Sequence, residues 1–178
     1  SSVLVIGGGG CSYPKHLVMG HAGVSVDVLE RDRRIARIAR EHFFVDRLER
    51  ELRARGEEGR FRLIVADGME YLRSCARSYD AVVNDAFVGR MPVRDFVEPC
   101  GLALIKEHLS PAGVYVTNFV VGDEASELVR FQESLEALQA AFASVQLVVA
   151  TDDEYSDLDN YVVFASDGSH AFAGAIPL

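Results

Sequence analysis

The chain has 178 residues, of which 18 are basic and 27 acidic, so its formal net charge is −9. Apolar residues make up 49% and charged residues 25%, which is typical of one soluble globular domain and too apolar for a disordered chain. The negative charge excludes an overall electrostatic attraction to nucleic acid or to an anionic membrane. We therefore predict that neither nucleic acid nor a membrane is a partner.

Cysteine usage predicts a cytoplasmic protein. Cys11, Cys75 and Cys100 are widely spaced, odd in number and without a C-x-x-C pair, so neither a disulfide framework nor a zinc site is indicated. The five histidines include no i, i+4 pair, and no metal site is predicted from them. No apolar run reaches the ~20 residues needed to span a bilayer, and the N-terminus lacks the basic stretch of a signal peptide.

Apolar runs alternate with helical patterns along the chain. The strand candidates are 3–6, 24–29, 61–66, 79–84, 114–121, 145–150 and 161–165. The helical patterns are 32–55, 69–76, 95–109 and 123–142, and residues 88–94 have the composition of a loop. This alternation predicts an α/β protein with a seven-stranded, mostly parallel sheet and helices on both faces. Only an acidic segment, 152–159, joins the last two strands, which are therefore expected to pair antiparallel near one edge.

Four glycines follow the first strand directly. Gly7, Gly8 and Gly9 would let a ligand approach the backbone without interference from Cβ atoms. Because ligands of open α/β sheets bind outside the carboxyl ends of the strands, this segment is a candidate nucleotide-binding loop. The alternative interpretation is an ordinary turn between a strand and a helix. Cys11, in this loop near a helix N-terminus, is either a small residue tolerated in a loop or a thiol with a lowered pKa.

Acidic residues follow the second and third strands. Glu30 lies 20 residues beyond Gly10, where a carboxylate can accept hydrogen bonds from both ribose hydroxyls, or else cap the next helix. Asp67 is followed by Gly68, and the pair could bind an adenine ring through the carboxylate and nearby backbone amides. Asp67 is equally well suited to be the N-cap of the helix that starts there.

A third acidic residue, Asp85, directly follows the fourth strand and would face the reacting end of a bound ligand. It could bind an ammonium group or act as a general base, and the alternative is that it only ends the strand. Neither the dinucleotide pattern G-x-G-x-x-G nor the phosphate-binding pattern G-x-x-x-x-G-K-[ST] is matched cleanly. Acids at three successive strand ends suit a ligand with a ribose, an adenine amine and a cationic amino acid. That description fits S-adenosylmethionine better than NAD.

Four segments together resemble the catalytic domain of the spermidine synthase-like family. They are Val-Leu-Val-Ile-Gly-Gly-Gly, Val-Asp-Val-Leu-Glu-Arg-Asp, Val-Ala-Asp-Gly-Met-Glu-Tyr-Leu and Tyr-Asp-Ala-Val-Val-Asn-Asp-Ala-Phe. The resemblance implies the Rossmann-like fold of class I S-adenosylmethionine-dependent methyltransferases over residues 1–165, followed by a tail, 166–178. It implies binding of S-adenosylmethionine or its decarboxylated form without a metal, a small-molecule acceptor such as a polyamine, and a homodimer.

The chain departs from the family pattern at two places. Gly10 stands where the family loop G-G-G-D-G-G has aspartate, and Val88 stands at the second aspartate of D-x-x-D. The family's N-terminal β-hairpin domain is also expected to be absent. Three hypotheses stay open: aminopropyl transfer with Asp85 as base, methyl transfer to a small molecule, and a non-catalytic domain that binds an adenosyl ligand.

Overall fold

The computed structural model describes residues 1–150 and 159–178. The strands are β1 (Ser2–Ile6), β2 (Ser25–Glu30), β3 (Phe61–Val65), β4 (Tyr79–Asn84), β5 (Phe87–Val88), β6 (Met91–Pro92), β7 (Leu109–Val121), β8 (Ser144–Val149), β9 (Asp159–Ser166) and β10 (Ile176–Pro177). The α-helices are α1 (Ser12–Gly20), α2 (Arg33–His42), α3 (Val45–Ala54), α4 (Gly68–Ser74), α5 (Pro99–Glu107) and α6 (Ala125–Ala141).

The main sheet has the strand order β10-β8-β9-β7-β4-β1-β2-β3. Strand β1 pairs in parallel with β2 on one side and with β4 on the other. The chain builds outward from β1 to β3, then crosses back to β4 on the opposite side of β1. The order therefore reverses beside β1, and ligands of open α/β sheets bind at the carboxyl ends of the strands at such a reversal.

The predicted α/β class is confirmed, whereas the predicted number of strands is wrong. Strand β9 pairs antiparallel with both β7 and β8, as expected for the last two predicted strands. An eighth strand, β10, pairs antiparallel with β8 at the edge of the sheet. It comes from the C-terminal tail, and its two residues are too few to show the alternation by which a strand is recognised in a sequence.

Two apolar cores lie on the two faces of the sheet. In β1, Leu4 and Ile6 belong to the core that includes α5 and α6, while Val3 and Val5 belong to the core that includes α1 and α3. Side chains of a strand alternate between the faces, so a strand covered on both sides has to be apolar throughout. This is why the central strands appear in the sequence as continuous apolar runs.

Two local predictions also need correction. The single helix expected over 32–55 is two helices, α2 and α3, because the chain turns at Phe43 and Phe44, and Phe44 has a left-handed φ of 61°. The loop expected at 88–94 contains the β5–β6 hairpin, followed by a 3₁₀ turn, Arg94–Phe96, that delays α5 to Pro99. The acidic segment lies outside the described residues except for Asp159. Within the described part, no helix is long and apolar enough to cross a membrane.

Candidate functional site

A cleft of about 550 Å³ lies at the carboxyl ends of β1 to β4. Its volume is within the range of roughly 300–1,000 Å³ that small-molecule sites occupy. The cleft is lined by all seven predicted site residues, namely Gly7, Gly8, Gly9, Glu30, Asp67, Gly68 and Asp85. The fold thus brings together residues that are up to 78 positions apart (from Gly7 to Asp85).

The first two glycines of the loop lie close to the ends of the neighbouring strands. Gly7 has a φ of 101°, and a Cβ atom there would lie 2.5 Å from the carbonyl oxygen of Asp85. A Cβ atom on Gly8 would lie 3.0 Å from the Cβ atom of Glu30, which is a tight contact. Position 7 therefore requires glycine, and the loop leaves an open floor to the cleft.

Backbone amides fix the carboxylate of Glu30. Its Oε2 accepts a hydrogen bond from the Gly9 amide at 3.1 Å, and its Oε1 accepts one from the Asp32 amide at 2.8 Å. The helix that follows is capped by Asp32, which accepts from the Arg34 amide, so Glu30 is not its N-cap. Each oxygen of Glu30 has a further lone pair, and the carboxylate is oriented to accept two more hydrogen bonds.

Asp67 performs the capping role that the sequence left open. Its Oδ1 accepts hydrogen bonds from the amides of Met69 at 3.0 Å and Glu70 at 3.1 Å, at the start of α4. Both bonds use the same oxygen, so Oδ2 keeps its full capacity as an acceptor. Gly68 is buried beside it, and a Cβ atom there would lie 2.7 Å from the Phe96 ring. The pair thus offers a carboxylate oxygen next to a flat, apolar wall.

Asp85 follows β4 and lines the cleft at the carboxyl end of that strand. Its backbone is fixed by a 2.8 Å hydrogen bond from its amide to the Ile6 carbonyl, which aligns it with the end of β1. The side chain is open to the water of the cleft, yet the surrounding protein desolvates it and raises its pKa, an effect that a hydrogen bond from Asn118 partly offsets. No ion pair to Asp85 occurs within the described residues, so it can accept a proton or an ammonium group.

Two polar residues in buried strands support this site, and the sequence analysis did not select them. Asn84 is fully buried; its Oδ1 accepts from the Ala86 amide at 3.3 Å and its Nδ2 donates to Thr117 at 3.2 Å. Asn118, on β7, contacts Asp85, and its Oδ1 is buried without a hydrogen-bond partner in the described structure. In the sequence, Asn84 and Asn118 can be recognised only as amide side chains within otherwise apolar strands.

The thiol of Cys11 is not activated. Its side chain is buried at the start of α1, and this burial raises its pKa to about 11. The interpretation as a small residue tolerated in a loop is therefore correct, and the one with a lowered pKa is wrong. Across 1–150 and 159–178, no group of three His, Cys, Asp or Glu side chains could hold a metal ion.

The sequence comparisons with known proteins agree on one family. A family model described as the spermine/spermidine synthase domain matches residues 1–172. A polyamine aminopropyltransferase of Chromobacterium violaceum is 36% identical over 103 residues, which cover 53% of this chain and 36% of that protein. The match thus spans about a third of the length of this curated relative.

Solved structures share the fold at lower sequence identity. A probable spermidine synthase from Corynebacterium glutamicum has a TM-score of 0.77 at 22% identity, over 96% of this chain and 57% of that one. Human methyltransferase-like protein 13, solved in complex with SAH, has a TM-score of 0.73 at 24% identity, over 93% of this chain and 71% of that one. These similarities establish a Rossmann-like methyltransferase fold.

Proposed function

This chain belongs to the spermine/spermidine synthase domain family, and from that premise we propose that it is a transferase using an S-adenosylmethionine-type cofactor. The observation that carries the proposal is the convergence of Glu30, Asp67 and Asp85 on one cleft beside a glycine floor. We propose S-adenosylmethionine or its decarboxylated form as cofactor, and an amine as acceptor. When bound, this group supplies an electrophilic carbon attached to a sulfonium sulfur.

The residues of the cleft fit the parts of such a group. Gly7, Gly8 and Gly9 leave room for it, since a Cβ atom would lie 2.5 Å from the Asp85 carbonyl oxygen at Gly7 and 3.0 Å from the Glu30 Cβ atom at Gly8, while Gly9 has a left-handed φ of 46°. Glu30 accepts hydrogen bonds from the two ribose hydroxyls. It uses the lone pairs that are not already bonded to the Gly9 and Asp32 amides. The Oδ2 atom of Asp67 accepts a hydrogen bond from the adenine amine. Gly68, which has no side chain, lets the adenine ring lie close to Phe96.

Asp85 acts at the reacting end. It holds the acceptor amine and takes one of its protons, so that the nitrogen lone pair can attack. With the cofactor bound, the nitrogen would form a bond to the carbon next to sulfur as the carbon–sulfur bond breaks, and the bonding electron pair would leave with the sulfur as a neutral thioether. Holding the two partners in line supplies a large part of the rate. Because Asp85 is open to the cleft, the amine reaches it directly.

Calorimetric titration tests the proposal. The ligands are S-adenosylmethionine, its decarboxylated form, methylthioadenosine and NAD. We expect the adenosyl-sulfur ligands to bind and NAD not to bind. Failure of every adenosyl-sulfur ligand at millimolar concentration would reject the proposed cofactor. Product analysis with amine acceptors then separates the reactions, because methylthioadenosine reports aminopropyl transfer and S-adenosylhomocysteine reports methyl transfer. Binding without turnover of any amine would support the non-catalytic alternative.

A variant at Glu30 tests the ribose contact. We expect Glu30→Ala to weaken adenosyl-ligand binding by ~1.5–3 kcal/mol, roughly 10- to 150-fold in Kd, because charged hydrogen bonds are lost. Glu30→Gln, which keeps one oxygen acceptor, should lose less. The control is Glu58→Ala, since Glu58 is exposed in the turn before β3, at the opposite end of that strand. An unchanged affinity of Glu30→Ala would place Glu30 outside the ribose site.

A further inference from the structure

Lys15 connects the glycine loop to the turn between α2 and α3. Its ammonium group donates a hydrogen bond to the carbonyl oxygen of Gly10 at 3.0 Å and another to the carbonyl oxygen of Phe43. Gly10 lines the cleft, whereas Phe43 belongs to the turn at the end of α2. We name these two hydrogen bonds the loop clamp. One side chain thus joins two segments that are 33 positions apart (from Gly10 to Phe43).

A left-handed residue follows each carbonyl of the loop clamp. Cys11, which follows Gly10, has a φ of 53°. Phe44, which follows Phe43, has a φ of 61°. Over the described part of the chain, these are the residues other than glycine that have a positive φ. Because a side chain disfavours this conformation, it persists only where surrounding contacts fix it, and Lys15 supplies such a contact at both places.

The loop and the turn are also in direct contact. A Cβ atom on Gly10 would lie 2.9 Å from Cδ1 of Phe43, so the aromatic ring packs against the backbone of the loop. Phe43 does not line the cleft. The turn between α2 and α3 therefore supports the loop from outside the cleft, and the loop clamp holds the two together.

Further hydrogen bonds link this arrangement to the proposed ribose site. The Cys11 amide donates to the Gly8 carbonyl at 2.8 Å, and the Cys11 carbonyl accepts from the Lys15 amide at 3.0 Å. Lys15 thus donates to two successive carbonyls of the loop, one from its ammonium group and one from its amide. The Gly9 amide, within the same loop, orients the carboxylate of Glu30. A displaced loop would therefore also disturb Glu30.

We infer that Lys15 is a positioning residue that holds the glycine loop in the conformation that binds the adenosyl ligand. This inference rests on the proposed function and deepens it, because it names a residue on which binding depends although it does not line the cleft. A loop that adopts the binding conformation for only a fraction of the time lowers the apparent affinity by that fraction. Lys15 acts by keeping that fraction high.

Calorimetric titration of Lys15→Met tests the inference. The ligands are S-adenosylmethionine, its decarboxylated form and methylthioadenosine, which share the adenosine group and differ in the charge of the remainder. We expect the Kd to rise by about tenfold for all three, as for a loop that is competent about a tenth of the time. Lys15→Arg, which keeps a cationic donor, should retain most of the affinity.

The matched control is Lys106→Met. Lys106 also donates from its ammonium group to a backbone carbonyl, that of Ala141 at 2.6 Å, and neither of these residues lines the cleft. Both lysine variants lose a bond of the same kind, so a general loss of stability would affect them alike. At a temperature well below the unfolding transition of each variant, we expect only Lys15→Met to raise the Kd.

Amide hydrogen exchange of the free protein reports on the loop without any ligand. Exchange of the Gly9 and Cys11 amides should accelerate in Lys15→Met and stay unchanged in Lys106→Met. If the wild type bound no adenosyl ligand, the proposed function would fail, whereas accelerated exchange would still support the loop clamp. The two failures are therefore distinguishable.

Three results would overturn the inference. The first is unchanged exchange or unchanged Kd in Lys15→Met when the wild type binds the ligands. The second is an equal loss of affinity in Lys106→Met, which would show an effect of stability alone. The third is a loss confined to S-adenosylmethionine, the ligand with a carboxylate, since Lys15 would then act on the charge of the ligand and not through the loop.

Discussion

The carboxyl group of Asp85 experiences two opposing effects. Desolvation by the surrounding protein raises its pKa, and the hydrogen bond from Asn118 lowers it. A general base has to be deprotonated, so the acidic limb of kcat/KM should lie above the ordinary pKa of an aspartate. Asn118, on β7, is thus placed to tune the ionisation of Asp85, the base that we propose.

Removing the Asn118 amide should shift the acidic limb of the kcat/KM profile. We predict that Asn118→Ala raises the pKa of Asp85 further, because it removes the hydrogen bond to the charged form while desolvation remains. The acidic limb of kcat/KM then shifts to higher pH, and NMR titration of the Asp85 carboxyl carbon shifts in the same direction without requiring turnover. Gln132→Ala, which removes an exposed amide from α6, is the matched control and should shift neither. A shift to lower pH would show that Asn118 opposes ionisation of Asp85.

At the scale of elements, the β5–β6 hairpin is tethered to the start of α6. Arg90, in its turn, lies 3.1 Å from Oε1 of Glu127, and Oε2 of the same carboxylate accepts from the Gly122 amide at 2.9 Å. The Glu127 side chain is only 9% exposed, so its charge depends on these two partners. Phe87, which lines the cleft, belongs to the hairpin that this ion pair holds.

Cutting the tether should loosen the hairpin and destabilise the fold. We predict that Arg90→Ala lowers the free energy of unfolding by about 1–3 kcal/mol, because it leaves a buried carboxylate with a single donor. Amide hydrogen exchange in the hairpin should accelerate. Adding Glu127→Gln to Arg90→Ala should recover part of the loss, since the unpaired charge is then gone. Arg47→Ala, which breaks the more exposed pair with Glu51, should cost less than 1 kcal/mol. Equal losses for Arg90→Ala and Arg47→Ala would contradict the tether.

The sequence predicts the central strands well and the irregular connections poorly. Strands covered on both faces have to be apolar, so β1, β2 and β4 are visible as runs, and the residues that follow them are found as well. The break at Phe44 is hidden because the helical stripe continues on both sides of it. The hairpin is hidden because each of its strands has two residues, too few to alternate.

Some residues of the candidate site can likewise be predicted from the sequence, and others cannot. Glu30, Asp67 and Asp85 were selected because each follows an apolar run, and parallel strands end at one edge. Asn118 lies inside such a run. Its relation to Asp85 depends on the pairing of β4 with β7, which brings together residues distant in sequence. Residue order alone does not determine such contacts.

At the scale of the whole molecule, the buried carboxylate of Asp27 links β3 to β4 and, through β4, to α4. Asp27 of β2 accepts from Nε of Arg62 at 2.6 Å and from the Tyr79 hydroxyl at 2.9 Å, and it lies 3.0 Å from Nη1 of Arg77. Tyr79 in turn contacts the hydroxyl of Tyr71 on α4 at 2.9 Å. The burial is unequal, because the side chain of Asp27 is 5% exposed and those of the two arginines 42% and 46%.

Because Asp27 is buried and its two arginine partners are half exposed, we can predict which variants lose more free energy of unfolding. Asp27→Asn leaves two arginines that water can solvate, so we expect a cost of about 1–2 kcal/mol. The double variant Arg62→Met/Arg77→Met leaves a buried carboxylate with no cation, and we expect it to cost about 3–5 kcal/mol. Adding Asp27→Leu to the double variant should restore much of that loss, since the uncompensated charge is removed. Urea unfolding measures all three against Arg73→Met, an exposed arginine of α4. If Asp27→Asn cost more than the double arginine variant, hydrogen bonding to Tyr79, rather than charge pairing, would be the dominant contribution of Asp27.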